Sequence, residues 1–205
     1  MAKINKALLS VSDKSGIIDF ARELAKFNIQ FISTGGTAGI LRENGLEIMD
    51  VSDYTGYPEM MDGRVKTLHP KIHGGLLGKR SNPEHVREMK AHNIENIDMI
   101  VVNVQPFDKN VLRYGFSLDE TINSIDIGGM ALVRSAAKNF ESVTVVMDSG
   151  DYGMVIEDMR KFNGTVSRET NLRLAIKVFE TTARYDGLIA EYLKCKSQPG
   201  LAERN

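Results

Sequence analysis

Short apolar runs recur along this chain between stretches with helical spacing. The runs have the length of buried strands and cover residues 7–11, 29–33, 47–51, 97–104 and 142–147. The stretches between and after them favour helices over residues 17–27, 38–43, 83–92, 130–138, 152–162 and 168–193. This alternation predicts an α/β fold with a mainly parallel sheet flanked by helices on both faces.

Two parts of the chain depart from the alternation. Residues 52–80 are rich in glycine, proline and polar side chains, and we predict them to be irregular. A loop of that length in a compact domain is usually functional. The polar residues 194–205 contain Pro199-Gly200, which is typical of a linker or a frayed end. We therefore expect one domain over residues 1–194, with residues 195–205 as a polar tail or linker.

One face of the last predicted helix is apolar. Its stripe consists of Leu172, Ala175, Ile176, Phe179 and Ala183. Such a stripe predicts core packing or a dimer interface rather than a cofactor site. At the first predicted helix, Ser12 or Asp13 is the expected N-terminal cap.

The composition excludes several classes of protein. The 205 residues include 26 Lys and Arg against 27 Asp and Glu, and this balance argues against a general nucleic-acid binder. The single cysteine, Cys195, allows no internal disulfide and favours a cytoplasmic location. No apolar run is long enough to span a membrane or to serve as a signal peptide.

Polar loops follow three of the predicted strands. Ligands of parallel α/β folds bind at the carboxyl ends of the strands, where residues 10–14, 33–37 and 103–107 would meet. Thr34-Gly35-Gly36-Thr37 lies between a strand and a helix, so it is either a phosphate site or a tight turn with a hydroxyl cap. Ser12-Asp13-Lys14 alone suggests capping, but beside that second loop it favours phosphate binding. Neither loop is a Walker A or G-x-G-x-x-G motif.

The basic stretch at residues 64–75 has the composition of a loop that closes over an anionic ligand. It contains arginine, lysines and histidines with few apolar residues. His69 and His73 have a spacing that would suit a metal on a helix. Pro70 and Gly74-Gly75 argue against a regular helix there, and no acidic ligand is near in sequence, so we expect no metal.

Six segments occur in the order in which a known family carries them. They are residues 10–14 (SVSDK), 33–37 (STGGT), 58–60 (PEM), 63–70 (GRVKTLHP), 126–129 (DIGG) and 134–139 (RSAAKN). With them the chain resembles the IMP cyclohydrolase domain of the bifunctional purine biosynthesis enzymes. The resemblance implies a methylglyoxal-synthase-like fold, a homodimer and the closure of 5-formamidoimidazole-4-carboxamide ribonucleotide to IMP and water. It implies no metal and no organic cofactor.

The resemblance also implies roles for individual residues. Lys66 would polarise oxygen at the reacting centre, while Asp126 and Lys138 would move protons, with Lys138 as the acid/base. The ribose phosphate would be held by Ser12, Lys14, Thr34, Gly35, Gly36 and Thr37, and Asp13 would also contact substrate. The base and its carboxamide would be positioned by Arg64, Thr67 and Asn103, with Val65, Val102, Gln105, Ile127 and Gly128 also contacting substrate.

The chain departs from the family at one residue. The family usually reads Asn-Leu-Tyr-Pro-Phe at the end of the strand predicted here over residues 97–104. This chain reads Asn103-Val104-Gln105-Pro106-Phe107 at that place. An amide donates a hydrogen bond but is not an acid, so the tyrosine's part is either dispensable or supplied otherwise. The formyltransferase domain of the family would lie in the same chain or in a separate one.

Two other functions remain open at this point. A nucleotide- or phosphate-sensing module of the same fold needs the phosphate loops, but it has no need for Lys66, Asp126 and Lys138 together. A phosphate-eliminating lyase that resembles methylglyoxal synthase is a second alternative, and the loop at residues 64–75 favours the cyclohydrolase over it.

Overall fold

A single five-stranded sheet forms the centre of the computed structural model, which describes residues 3–104, 107 and 117–197. The strands are β1 (Lys6–Val11), β2 (Gln30–Ser33), β3 (Ile48–Asp50), β4 (Met99–Asn103) and β5 (Thr144–Val146). Their order in the sheet is β3-β2-β1-β4-β5, and each of the four pairings is parallel. The central strand is thus β1, between β2 and β4.

Helices fill most of the connections between the strands. They are α1 (Ile17–Ala25), α2 (Gly35–Glu43), α3 (Val51–Thr55), α4 (Pro70–Leu77), α5 (Pro83–Ala91), α6 (Leu118–Asn123), α7 (Gly128–Lys138), α8 (Tyr152–Lys161) and α9 (Arg168–Ser197). Short 3₁₀ turns lie at Met61–Gly63 and Ser149–Asp151. None of the helices in the described residues is both long and apolar enough to cross a membrane.

The core lies on both faces of the sheet. Leu8 and Leu9 are neighbours on β1, so their side chains point to opposite faces, and both are fully buried. On β4, Ile100 and Val101 repeat this arrangement. The predicted α/β fold with a parallel sheet and flanking helices is therefore confirmed.

The predicted irregular region at residues 52–80 contains two helices, so that prediction was wrong for them. Pro70 occupies the first turn of α4, where its missing N–H is not needed, and the His69 side chain accepts a hydrogen bond from the Lys71 N–H. The glycine pair lies inside α4. Glycine is needed at position 75 because a Cβ there would stand 2.6 Å from the Glu95 carbonyl oxygen. Close packing, rather than chain reversal, explains that pair.

One further prediction was wrong, and another holds only in part. The N-cap of α1 is Gly16, at φ +69°, and no side chain caps the helix. The Asp13 carboxylate instead accepts hydrogen bonds from the N–H and hydroxyl of Ser15. In α9, which runs to Ser197, the buried face includes Leu174 and Val178, and of the predicted stripe only Ala175 is buried.

Candidate active site

A cavity of about 620 Å³ opens at the carboxyl ends of the central strands. Its lining comes from the loops after β1, β2 and β4, from residues 63–67 and from the start of α7. Its lining includes most of the residues that the sequence assigned to substrate: Ser12, Lys14, Thr34, Gly35, Gly36, Thr37, Arg64, Lys66, Thr67, Val102, Asn103, Asp126, Ile127 and Gly128. Residues distant in sequence thus share one space.

One end of the cavity is the N-terminus of α2. Thr34 is the N-cap, in an extended conformation, and its hydroxyl makes no capping hydrogen bond to the helix. Gly35 has φ +49°, which favours glycine, and a Cβ on Gly36 would meet no atom within 4 Å. The first turn of α2 therefore presents its N–H groups to open space, as an anion site requires.

Two lysines add positive charge beside this helix end. The Lys14 ammonium donates a hydrogen bond to the Thr37 hydroxyl at 3.1 Å and also contacts the Val11 carbonyl. Burial lowers the pKa of Lys14, and the nearby Asp13 carboxylate opposes that shift. A Cβ on Gly35 would stand 3.7 Å from the Lys66 ammonium, so Lys66 also lies at the mouth of α2.

The Asn103 side chain braces the loop that carries Lys14. Its carbonyl oxygen accepts hydrogen bonds from the N–H groups of Ser12 (2.7 Å) and Asp13 (3.0 Å). Its amide donates to the Asp13 carbonyl at 2.9 Å. Asn103 therefore fixes the loop after β1, and it also lines the cavity, so its predicted role in positioning the base stays a prediction.

Arg64 is held by a residue that the sequence analysis missed. Its guanidinium donates to the Asn123 side chain at 2.8 Å, and both residues line the cavity. Asn123 ends α6, a helix started by a capping box between Ser117 and Glu120. The motif Ser117-Leu118-Asp119-Glu120 is a recognised start signal and would have predicted α6.

Asp126 also lines the cavity, just before α7. Its carboxylate accepts a hydrogen bond from the Gly129 N–H in the first turn of α7 at 2.8 Å, although the N-cap residue itself is Ile127. A Cβ on Gly128 would stand 2.7 Å from the buried Thr67 hydroxyl oxygen, which shows how closely the basic stretch packs on α7. The cavity therefore contains a carboxylate as well as the cationic groups of Lys14, Arg64 and Lys66.

The two histidines of the basic stretch are committed to structural contacts. His69 caps α4, and the His73 Nδ1 lies 3.0 Å from the Ser135 hydroxyl on α7. Burial lowers the pKa of His73, against the effect of the Thr67 carbonyl. Within the described part of the chain, no group of three or more His, Cys, Asp or Glu side chains is arranged to hold a metal ion.

Three predicted site residues do not line the cavity, and a fourth lies outside the described residues. Lys138 is exposed at the far end of α7, and a helix that rises about 1.5 Å per residue places it about 15 Å from Gly128. Within one chain, the structure thus separates Lys138 from the site that it was expected to serve. Asp13 and Val65 flank lining residues but are not among them. Gln105 lies outside the described residues.

Taken together, the fold and the cavity define a class of protein. A parallel α/β domain with a helix N-terminus, two lysines and an arginine at the carboxyl edge of its sheet suits a phosphorylated small molecule. The carboxylate of Asp126 in the same cavity adds a group that can accept a proton.

Comparison with known proteins identifies the family. The MGS-like domain family matches residues 16–131, and the AICARFT/IMPCHase bienzyme family matches residues 136–204. The chain is 54% identical over 200 residues to the bifunctional purine biosynthesis protein PurH of Magnetococcus marinus, covering 98% of this chain and 38% of that protein. The crystal structure of ForH superposes with a TM-score of 0.80 at 34% identity, covering 92% of this chain and 98% of that one.

The chain therefore belongs to the MGS-like domain family, and its resemblance to the IMP cyclohydrolase domain is confirmed. It spans 38% of the length of the PurH relative, so the activity of that whole protein is a matter of proposal for this chain.

Proposed function

We propose that this protein is an IMP cyclohydrolase, which closes 5-formamidoimidazole-4-carboxamide ribonucleotide to IMP in the last step of de novo IMP biosynthesis. The observation that carries the proposal is that Lys14 and Lys66, at the N-terminus of α2, line the same cavity as Asp126. The similarity to PurH and to the AICARFT/IMPCHase family supports the reaction.

The reaction needs a fixed conformer and managed protons rather than a cofactor. The carboxamide nitrogen attacks the formyl carbon of the same molecule, and the C–N bond forms as one carboxamide proton passes to the formyl oxygen. The resulting hydroxyl then leaves as water with the formamide N–H proton, and the C=N bond closes the aromatic ring. Because both reacting groups belong to one substrate, holding the reactive rotamer supplies much of the rate.

The cavity offers a group for each requirement. We assign the ribose phosphate to the α2 N-terminus with Lys14 and Thr37, because these groups supply N–H donors, a hydroxyl and positive charge. Lys66 belongs to the basic stretch and lies beside the N-terminus of α2. It stabilises the negative charge that develops on the formyl oxygen. Asp126 accepts the carboxamide proton.

The assay follows IMP formation by absorbance, with purified chain and the formamido ribonucleotide in the absence of folate and added metal. We expect Lys66→Ala and Asp126→Asn each to lower kcat by about 10²–10³, the usual cost of one charge-stabilising or proton-transfer group. Lys14→Ala should mainly raise KM, because the phosphate is bound equally in ground and transition states. Lys90→Ala, exposed on α5 and outside this cavity, is the matched control.

A phosphate-sensing module is the alternative that the phosphate end of the cavity alone would support. It predicts IMP binding that weakens in Lys14→Ala, is indifferent to Asp126→Asn, and comes with no turnover. Turnover equal to wild type in both Lys66→Ala and Asp126→Asn would instead remove those two residues from the mechanism.

We further propose that the protein acts as a cytoplasmic homodimer, with a formyltransferase domain in the same or a separate chain. Support for the dimer comes from the exposed apolar residues Leu172, Ile176 and Phe179 along α9. Arg134 on α7 stacks over Phe179, with its guanidinium 5.9 Å from the ring centroid, and Lys138 lies one turn further along the same helix. In a dimer built on this face, Lys138 would border the interface, which leaves a role in the partner's site open to test.

A further inference from the structure

The hydroxyl of Tyr185 touches the main chain of the cavity's aspartate. Tyr185 lies on α9, 59 residues away in sequence, and is 6% exposed. The Asp126 N–H donates a hydrogen bond to the Tyr185 hydroxyl oxygen at 2.9 Å. Tyr185 is not among the residues that line the cavity, so it supports Asp126 from behind.

The Tyr185 ring is itself firmly held. It belongs to a small apolar cluster with Phe107 and Met130, against which Ile125 also packs. The Phe107 ring meets it edge-on, with centroids 6.1 Å apart. Such packing orders the ring before substrate arrives, so the hydroxyl is a fixed acceptor rather than an incidental one.

Two hydrogen bonds therefore define where Asp126 sits. Its N–H is bound to Tyr185, and one of its carboxylate oxygens is bound to the Gly129 N–H at the start of α7. Burial raises the pKa of the Tyr185 hydroxyl, so near neutral pH the group stays an uncharged phenol and adds no negative charge beside the carboxylate.

We propose that Tyr185 is a positioning residue that holds Asp126 in the geometry needed for proton transfer. This inference rests on the proposed cyclohydrolase function, in which Asp126 is the proton acceptor. The cluster also includes Phe107, two residues after the position where the family's tyrosine is replaced by Gln105. Tyr185 places a buried phenol next to Asp126, and this phenol acts through the main chain of Asp126.

The chain provides a matched pair of variants. Tyr185→Phe removes only the hydroxyl that accepts from Asp126. Tyr192→Phe removes a hydroxyl from the same helix and the same cluster, one that lies 3.1 Å from the Thr121 hydroxyl and does not contact Asp126. Both variants keep the aromatic ring, so both should fold.

We expect Tyr185→Phe to lower kcat about tenfold, the cost of about one hydrogen bond, with KM changed less than about twofold because the phosphate end is untouched. Tyr192→Phe should leave both constants at wild-type values. In an Asp126→Asn background, Tyr185→Phe should add no further loss, since a positioning residue has nothing left to position. A further tenfold loss from Tyr185→Phe in the Asp126→Asn background would overturn the proposal. So would the same kcat in Tyr185→Phe as in Tyr192→Phe.

A second readout does not depend on activity. Hydrogen exchange at the Asp126 amide, followed by NMR, should accelerate in Tyr185→Phe and stay unchanged in Tyr192→Phe. If the wild-type protein makes no IMP but the Asp126 amide still exchanges faster in Tyr185→Phe, the proposed function fails while the anchoring contact stands. If protection is unchanged in Tyr185→Phe, the anchoring itself is wrong.

Discussion

At the scale of single residues, Gly75 marks a place where the backbone leaves no room for a side chain. A Cβ there would stand 2.6 Å from the Glu95 carbonyl oxygen and 3.1 Å from Ile97 Cγ1. The Gly75 carbonyl also accepts a hydrogen bond from the Ile97 N–H at 3.1 Å. Helix α4 is thus packed closely against the segment that leads into β4.

We predict that Gly75→Ala destabilises the fold by about 1–3 kcal/mol, because the added methyl group must displace backbone rather than a flexible side chain. Urea unfolding followed by circular dichroism measures the change. Gly39→Ala in α2 is the control, since a Cβ there meets nothing within 4 Å and should stabilise by up to about 1 kcal/mol. Equal effects at the two glycines would contradict the close approach at Gly75.

Residue types with a direct chemical role could be predicted from the sequence, and residues that act through distant contacts could not. Thr34 to Thr37 alone were compatible with a phosphate site or a capped tight turn, and the neighbouring loop at Ser12-Asp13-Lys14 favoured the phosphate site. Asn103 was also noticed, but its brace on the Ser12–Asp13 backbone depends on how β1 and β4 pair. Tyr185 was not among the predicted site residues, because nothing in its local sequence points to a turn 59 residues earlier.

At the scale of elements, α4 and α7 are joined along their length behind the cavity. The His73 ring contacts the Ser135 hydroxyl, and the Asn139 amide donates to the carbonyls of Leu76 (2.8 Å) and Gly78 (3.2 Å). The first half of the basic stretch precedes α4, and Asp126 precedes α7. Contacts between the two helices therefore help to set how far apart these two cavity-lining segments lie.

We predict that the free energy of unfolding falls as pH drops below about 6.5, in part through His73. Burial lowers the pKa of the folded His73 below its ordinary value of 6.5, so the unfolded chain binds the proton first. The contribution is complete above pH 6.5 and is lost as pH falls toward the folded pKa. The His73 Nε2 is buried with no hydrogen-bond partner in the described structure, which makes the charged ring costly.

Chemical unfolding between pH 5 and 8 tests this, and His73→Gln should flatten the curve relative to wild type. The carboxyl groups whose pKa is lowered in the fold, such as Glu23 and Asp148, titrate below this window and do not interfere. Ser135→Ala serves as a control that keeps the imidazole. A curve for His73→Gln that is as steep as wild type would show that another group causes the loss.

The sequence pattern predicted the sheet and most helices, and it failed where a local rule had two readings. Pro70 and the Gly74-Gly75 pair were read as helix breakers. In the fold, Pro70 opens α4, and the glycines allow α4 to pack closely. In the same way, the spacing along α9 predicted an apolar face correctly, but the pattern alone could not tell which part of that face the domain itself covers.

At the scale of the whole molecule, α9 has more apolar surface than the domain buries. Leu174 and Val178 face the core, while Leu172, Ile176 and Phe179 are 38%, 51% and 44% exposed. These three recur at helical spacing, so they form a continuous patch on one side of the helix. A patch of this kind usually marks an interaction surface, and in the proposed homodimer a second copy of the chain covers it.

We therefore predict that the paired change Ile176→Glu and Phe179→Glu converts a dimer to a monomer. The reason is that two carboxylates would have to be buried against each other and against an apolar surface. Light scattering after size exclusion measures the mass, and Val86→Glu, a change at an exposed apolar residue on α5, is the control. A wild-type chain that is monomeric at high concentration would refute the dimer, and a dimer that persists in the paired variant would move the interface away from α9.

The same variants test the role of Lys138. If the monomeric variant loses turnover, and Lys138→Ala loses turnover while it stays a dimer, Lys138 is assigned to the partner's site.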